Sequence, residues 1–402
     1  MKQTWRWFGP HDTVSLSEVR QAGAEGVVSA LHHILPGEVW PLAEIRKRQD
    51  IIAKKGDGTS TGLTWDVIES LPVSEHIKKQ SGDWVAHTDA YCESLRNIAA
   101  AGIEIVCYNF MPILDWTSTD LAWPLPNGGT CMRFDLIDFA AFDLHILKRS
   151  GARYSDEVRE AAAGRFALMD DQAQQNLTRN VVFGLPGSAE IMSLEDVRIL
   201  LGQYAGISKD QLRGNMVGFL ERVAPLAQEL GIRLCCHPDD PPFDLLGLPR
   251  IVSTEADYRF IMNAVDVEAN GITLCSGSLG VDPGNDLPGM MDRLGDRVHF
   301  LHLRNVKRED DAFPGSFHES EHLGGDVNMV AFVAAILREE KKRRDAGRSD
   351  NQIPMRPDHG QDIVDDLKRK NQPGYPLVGR LKGLAEIRGV EAALSRNWPQ
   401  YQ

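Results

Sequence analysis

A chain of 402 residues, 42% hydrophobic and 25% charged, can bury a large core and has ordinary globular composition. Its formal net charge of −13 leaves no basic footprint for nucleic acid or an anionic membrane surface, so cations for an anionic ligand have to be gathered locally. The six cysteines lack the dense spacing of a secreted disulfide scaffold, and neither a leader-type apolar run nor a stretch of ~20 apolar residues is found. Reduced thiols in a cytoplasmic protein are expected.

Taken in chain order, β-rich runs that stop at polar or Gly/Pro residues begin at Thr4 (TWRWFG), Gly26 (GVVSALHH), Leu63 (LTWDVIESLPV) and Ile103 (IEIVCYNFMP). Four more begin at Ile232 (IRLCCHPDD), Ile272 (ITLCSGSLG), Arg297 (RVHFLHLRNV) and Ile353 (IPMRPDHG). Helical patterns separate most of them, several ending in Gly: SLSEVRQAGA, PLAEIRKRQDIIAKKG, YCESLRNIAAAG, QLRGNMVGFLERVAPLAQELG and VNMVAFVAAILREEKKRRDAG. Eight strands alternating with helices predict an α/β fold, a (β/α)₈ TIM barrel forming one catalytic domain over residues 1–402, with an open doubly wound sheet as the weaker option. The basic run REEKKRRDAGR is expected to be a solvated helix end.

The alternation breaks once. Between Pro112 and Gln211 about a hundred residues intervene where a plain βα unit needs roughly thirty. Helical patterns (MRFDLIDFAAFDLHILKR, SDEVREAAAGRFALM) and the loop FGLPGS fill it. Coming after the fourth strand, on the side where barrels keep their active sites, residues 117–205 are expected to be a helical insertion acting as a cap, and a deletable one: removing roughly 120–200 should spare folding and lower turnover.

The last residues of barrel strands open into the site, and neighbouring strands lie ~4.8 Å apart, so inward donors at matching height converge. His237 ends the fifth strand, Cys275 falls late in the sixth, His302 late in the seventh, and Asp358 ends the eighth. Singly, each is more often a packing residue. Together they predict a metal site. His299 and His302 are three apart, so only one faces inward, and His302 lies nearer the strand end. Cys235 shares the inward face with His237 and sits deeper, whereas Cys236 faces the helices. Thiolate and imidazole favour Zn²⁺ or Fe²⁺, while the carboxylate also suits Mn²⁺.

The stretches QTWRWFGP, VRQAGAEGVV, VCYNFMPILDWT, CCHPDDPP, HLRNV, GGDVNM, IPMRPDHG and PGYPLVGRLKGLAEIRGVE, spread over essentially the whole chain, resemble the mannonate dehydratase family, metal-dependent lyases on a barrel of the xylose-isomerase-like type. The resemblance implies dehydration of D-mannonate to 2-dehydro-3-deoxy-D-gluconate in glucuronate breakdown, with one Mn²⁺ or Fe²⁺. It carries the metal ligands onto His237, Cys275, His302 and Asp358, the same four reached from strand ends. Leu35, in ALHHILPGEVW, stands where the family more usually has proline.

For that chemistry Asp358, His359 and Tyr375 are the candidate acid and base groups, with their roles left unapportioned. Arg6, His32, His33, Asn109, Arg304 and Arg356, at or near strand ends, are candidates to hold the substrate's carboxylate and hydroxyls. His318 and His322 are expected in a loop that helps close the site. The partner is a small sugar acid, with no nucleic acid and no membrane; a homodimer is left open. Two other functions compete: a metal-dependent sugar isomerase, which usually presents a carboxylate-rich two-metal site, and a non-catalytic sugar-acid-binding protein.

Overall fold

The computed structural model describes residues 1–183 and 193–396. Eight parallel strands close into a barrel: β1 (Lys2–Arg6), β2 (Gly26–Ser29), β3 (Thr64–Glu69), β4 (Ile105–Tyr108), β7 (Arg233–Cys236), β8 (Asn270–Cys275), β9 (Val298–His302) and β12 (Pro354–Arg356), which pairs back onto β1. Each overlaps one of the eight β-rich runs, β1 and β8 starting two residues before theirs. β2, β4, β8 and β9 are buried at every position, as strands covered on both faces have to be. Cys107, Cys235 and Phe300 fill the barrel interior with Val28, Val67 and Ile105, while Cys236 joins the outer core under the helices.

The helix over Leu16–Gln21 starts on a capping box between Ser15 and Glu18, and the long helix Lys209–Leu230 starts on Ser208 and stops at Gly231, whose φ of +70° suits glycine. The basic run lies in the helix Met329–Asp345 and is not wholly solvated. Arg343 is buried and donates to the backbone carbonyls of Gly295 (2.6 Å) and Val298 (2.8 Å), closing the chain entry into β9.

Residues 117–205 begin with strands, not helices: β5 (Asp120–Pro124) and β6 (Thr130–Phe134) form a hairpin. The MRF of the expected helical run therefore lies in β6, whose pairing and buried side chains outweigh helical propensity. Two strands from the connection after β9, β10 (Asn305–Arg308) and β11 (Phe317–Ser320), complete an antiparallel sheet in the order β10-β11-β6-β5. Helices Leu136–Ala141, Asp156–Ala167, Asp171–Val181 and Leu194–Gln203 follow. Of the loop FGLPGS, only Phe183 lies within the described residues.

A second hydrophobic core joins this segment to the rest of the chain. Phe134, Phe139 and Phe142 pack with Phe243, Val281, Val306 and Phe317, and Phe134 and Phe317 stack at 5.6 Å. Removing 120–200 would strip these partners, so the deletion is expected to abolish cooperative unfolding, measured by calorimetry; a cooperatively folded deletion protein would restore the idea of a detachable cap.

His299 faces away from the barrel mouth, with Nε2 3.0 Å from the Glu268 carbonyl, and burial pushes its pKa from 6.5 down to about 3. As pH falls below 6.5 the unfolded chain takes up a proton that the folded side chain refuses until about 3, so stability drops across that window. His299→Gln is expected to flatten the dependence of Tm on pH between about 6.5 and 4, and an unchanged slope would show that this residue is not responsible.

Candidate active site at the barrel mouth

His237 follows β7, Cys275 ends β8, His302 ends β9, and Asp358 lies two residues past β12. Strand register brings them level, with Cys275 opposite His302 and His302 opposite Arg356. Donor atoms of His237, Cys275 and His302 all lie within 4.8 Å of one another. The Asp358 carboxylate adds Oδ1 at 4.0 Å from His302 Nδ1 and Oδ2 at 3.8 Å from Cys275 Sγ. Asp358 has φ +63°, an unusual left-handed conformation for a non-glycine residue.

The ring nitrogens fit a cation. His237 Nδ1 lies 2.7 Å from the Pro238 carbonyl, which accepts its proton, so Nε2 presents a lone pair. His302 Nε2 lies between the Glu69 carboxylate (3.3 Å) and Arg356 Nε (3.2 Å), and its Nδ1 lies 3.0 Å from His237 Nε2. An outer N–H on a carboxylate or carbonyl, as His237 makes to Pro238, is the usual support of a metal-binding histidine. Burial pushes His302 down to about 4, keeping the imidazole neutral, and pushes the Cys275 thiol up to about 12 against the pull of Arg304.

Around these donors runs a buried ion-pair network. Arg356 donates to Glu69 through Nη2 (2.7 Å) and Nε (3.0 Å), and through Nη1 to Asp358. Arg304 reaches Asp240 (2.5 Å), Asp358 (3.4 Å) and Glu319 (3.4 Å). Burial alone would raise the Glu69 and Asp358 carboxyls. The guanidiniums, led by Arg356, outweigh it and hold both well below the usual carboxylate range.

Asn109, Arg304, Arg356, Asp358, His359 and Tyr375 line one cavity with His237. The His359 ring packs against Tyr375 (4.7 Å) and Trp116 (5.5 Å), and Tyr375 against Phe8 (4.7 Å). The His359, Tyr375 and Trp116 rings help line a space of about 30 Å³, room for a water-sized group. Arg6 lies behind it, Nη1 3.6 Å from Glu69 and Nη2 3.2 Å from His32 Nε2. His32 lines an adjoining chamber of about 480 Å³.

His33 is exposed, with Nε2 3.4 Å from Glu44, and lines the about 480 Å³ cavity together with His32. His318 is half-buried on β11, and His322 Nε2 lies 2.7 Å from the Pro357 carbonyl, bracing the loop that carries Asp358. The sequence reading missed Glu69, Asp115, Trp116, Asp240 and Glu319. Glu69 ends β3 in the same way as the other donors and was open to the same argument; Glu319, on an unrecognised strand, carried no local signal.

A parallel barrel with nitrogen, sulfur and carboxylate donors converging where four consecutive strands end defines a TIM-barrel enzyme with a metal-type site. The family model described as D-mannonate dehydratase (UxuA) matches residues 1–400. The chain belongs to this family. It is 56% identical to mannonate dehydratase 1 of Agrobacterium fabrum, over 98% of this chain and 97% of that one, and 51% identical to the mannonate dehydratase of Chromohalobacter salexigens, over 98% and 99%. The crystal structure of mannonate dehydratase from Streptococcus suis serotype2 superposes with a TM-score of 0.75 at 32% identity, over 98% of this chain and 94% of that one.

Glu69 is the joint of the network, because Arg356, His302 and Arg6 all lean on it. Removing one partner of a buried ion pair leaves an uncompensated charge. Glu69→Ala is expected to lower unfolding free energy in urea by about 3–5 kcal/mol, and a loss under ~1 kcal/mol would mean that water or Asp358 replaces it.

Proposed function

We propose that this chain dehydrates D-mannonate to 2-dehydro-3-deoxy-D-gluconate and water, with one Mn²⁺ or Fe²⁺ held by His237, Cys275, His302 and Asp358. The convergence of these four donors, two of which (His237 and Asp358) line the cavity with His359 and Tyr375, carries the reading. A mixed nitrogen, sulfur and oxygen set suits a borderline divalent ion. When bound, such an ion supplies Lewis-acid stabilisation of the negative charge that builds up beside C2.

The protein's own groups supply the rest. Arg304 and Arg356, fixed by their carboxylate partners, give the positive charge for the sugar acid's carboxylate, and Asn109, whose Nδ2 donates to Asp115 at 3.0 Å, faces the hydroxyls. His359 takes the C2 proton at Nε2. The C2–H electrons form the C2–C3 double bond, and the C3 hydroxide departs as water with the Tyr375 phenolic proton, which burial keeps in place by pushing that pKa up. The enol tautomerises to the 2-keto acid.

Trp116 and Tyr375, which line the about 30 Å³ space, shift as a six-carbon acid enters. Residues 117–205, which follow Trp116 directly and pack Phe183 against its ring at 5.9 Å, act as the cap.

The test strips metal with chelator, restores Mn²⁺, and follows 2-keto acid from D-mannonate, with metal content measured in parallel. Turnover should require the ion, and Cys275→Ser and His237→Ala should each lose at least ~10²-fold in activity together with bound metal. Folded, ion-loaded protein that forms no keto acid would overturn the reaction, and full metal occupancy in both variants would overturn the ligand set.

A further inference from the structure

We propose that Glu319 is a positioning residue for the dehydration, fixing His359 in the tautomer and orientation that turn its Nε2 lone pair toward the substrate; this rests on the reading of His359 as proton acceptor. Glu319 is 6% exposed on β11, where its backbone pairs with Val306 of β10. β11 is pinned on its other edge by β6, through Phe317 opposite Phe134 and His318 opposite Arg133. The carboxylate therefore sits on a strand held from both sides.

His359 Nδ1 makes its shortest contact with Glu319 Oε1. A carboxylate in such contact accepts, so the proton lies on Nδ1 and the lone pair on Nε2. Nε2 is 3.8 Å from Asp358 Oδ1, on the side where the four donors converge. Arg304 Nη1 lies 3.1 Å from the same Nδ1. Without the carboxylate this guanidinium would donate to Nδ1, the proton would move to Nε2, and the ring would face the substrate as a donor instead of an acceptor.

Ion pairing with Arg304 does not account for Glu319. Arg304 has closer anionic company in Asp240 at 2.5 Å and contacts Asp358 at 3.4 Å. The second Glu319 oxygen, Oε2, is buried and makes no hydrogen bond among the described residues. Oε1 accepts from Arg304 Nη1 at 3.4 Å and makes its shortest contact on the nitrogen whose protonation decides what Nε2 can do.

The experiment compares Glu319→Ala, Glu319→Gln and His359→Asn in the holoenzyme, with metal content and melting temperature as controls. Glu319→Ala should lower kcat by roughly 10²-fold with KM within about threefold, as loss of a correctly presented base does. Glu319→Gln, which keeps an acceptor for Nδ1–H, should recover about tenfold of that loss. In the protein loaded with diamagnetic Zn²⁺, a far-downfield proton resonance, assigned to His359 by its absence from His359→Asn, should vanish in Glu319→Ala. Parental kcat in His359→Asn would remove the reading of His359 and this proposal with it. Slow His359→Asn beside Glu319→Ala that keeps its kcat, loses activity only through KM or metal, or retains the resonance would overturn the role of Glu319 alone. If the alanine variant does not fold, Glu319→Gln decides: kcat about tenfold below parent with the resonance moved upfield supports the proposal, and parental values of both overturn it.

Discussion

Arg356 lies between the carboxylates of Glu69 and Asp358 with almost no access to solvent, and the rest of the barrel mouth is arranged around that bond set. Charge removed from water has to be met by charge, and each carboxylate that meets Arg356 also has a second duty. Glu69 lies 3.3 Å from His302 Nε2, and Asp358 turns one oxygen toward His302 and the other toward Cys275. The donor cluster and the ion-pair network are thus one electrostatic unit. Its members come from β3, β8, β9 and β12 and the turns that follow β7 and β12.

The small antiparallel sheet extends that unit. β10 and β11 leave the barrel after β9, and β5 and β6 belong to the segment after β4, so two connections far apart in sequence share hydrogen bonds and one aromatic core. Glu319 and Arg304 stand at or beside this sheet and both reach His359. The segment that covers the site also sets the position of strands that shape its chemistry.

Much of this was legible in the sequence. All eight barrel strands are short apolar runs cut off by polar or Gly/Pro residues, and a parallel strand buried on both faces leaves that trace. The four donors were legible because strand ends in a barrel converge, and parity picked His302 over His299. The hairpin over 120–134 was hidden because MRFDLIDFAAFDLHILKR has helical periodicity, and its strand portion is set by pairing with β11. Arg343 shows the same limit: a basic run reads as solvent-facing, yet three buried carbonyl and carboxylate partners claimed one of its members. Glu319 depends on that long-range sheet, and no local pattern marks it.

The left-handed backbone at Asp358 narrows what evolution or an engineer can place there. Asparagine and aspartate adopt φ near +60° at little cost, glycine at none, and longer or β-branched side chains do so under strain. A glutamate or histidine at this position would disturb the turn as well as the reach of the donor atom. Redesign of the proposed metal centre would have its freedom at the three donors on or next to strands, while Asp358 can shed its charge as asparagine but has little room to change its length.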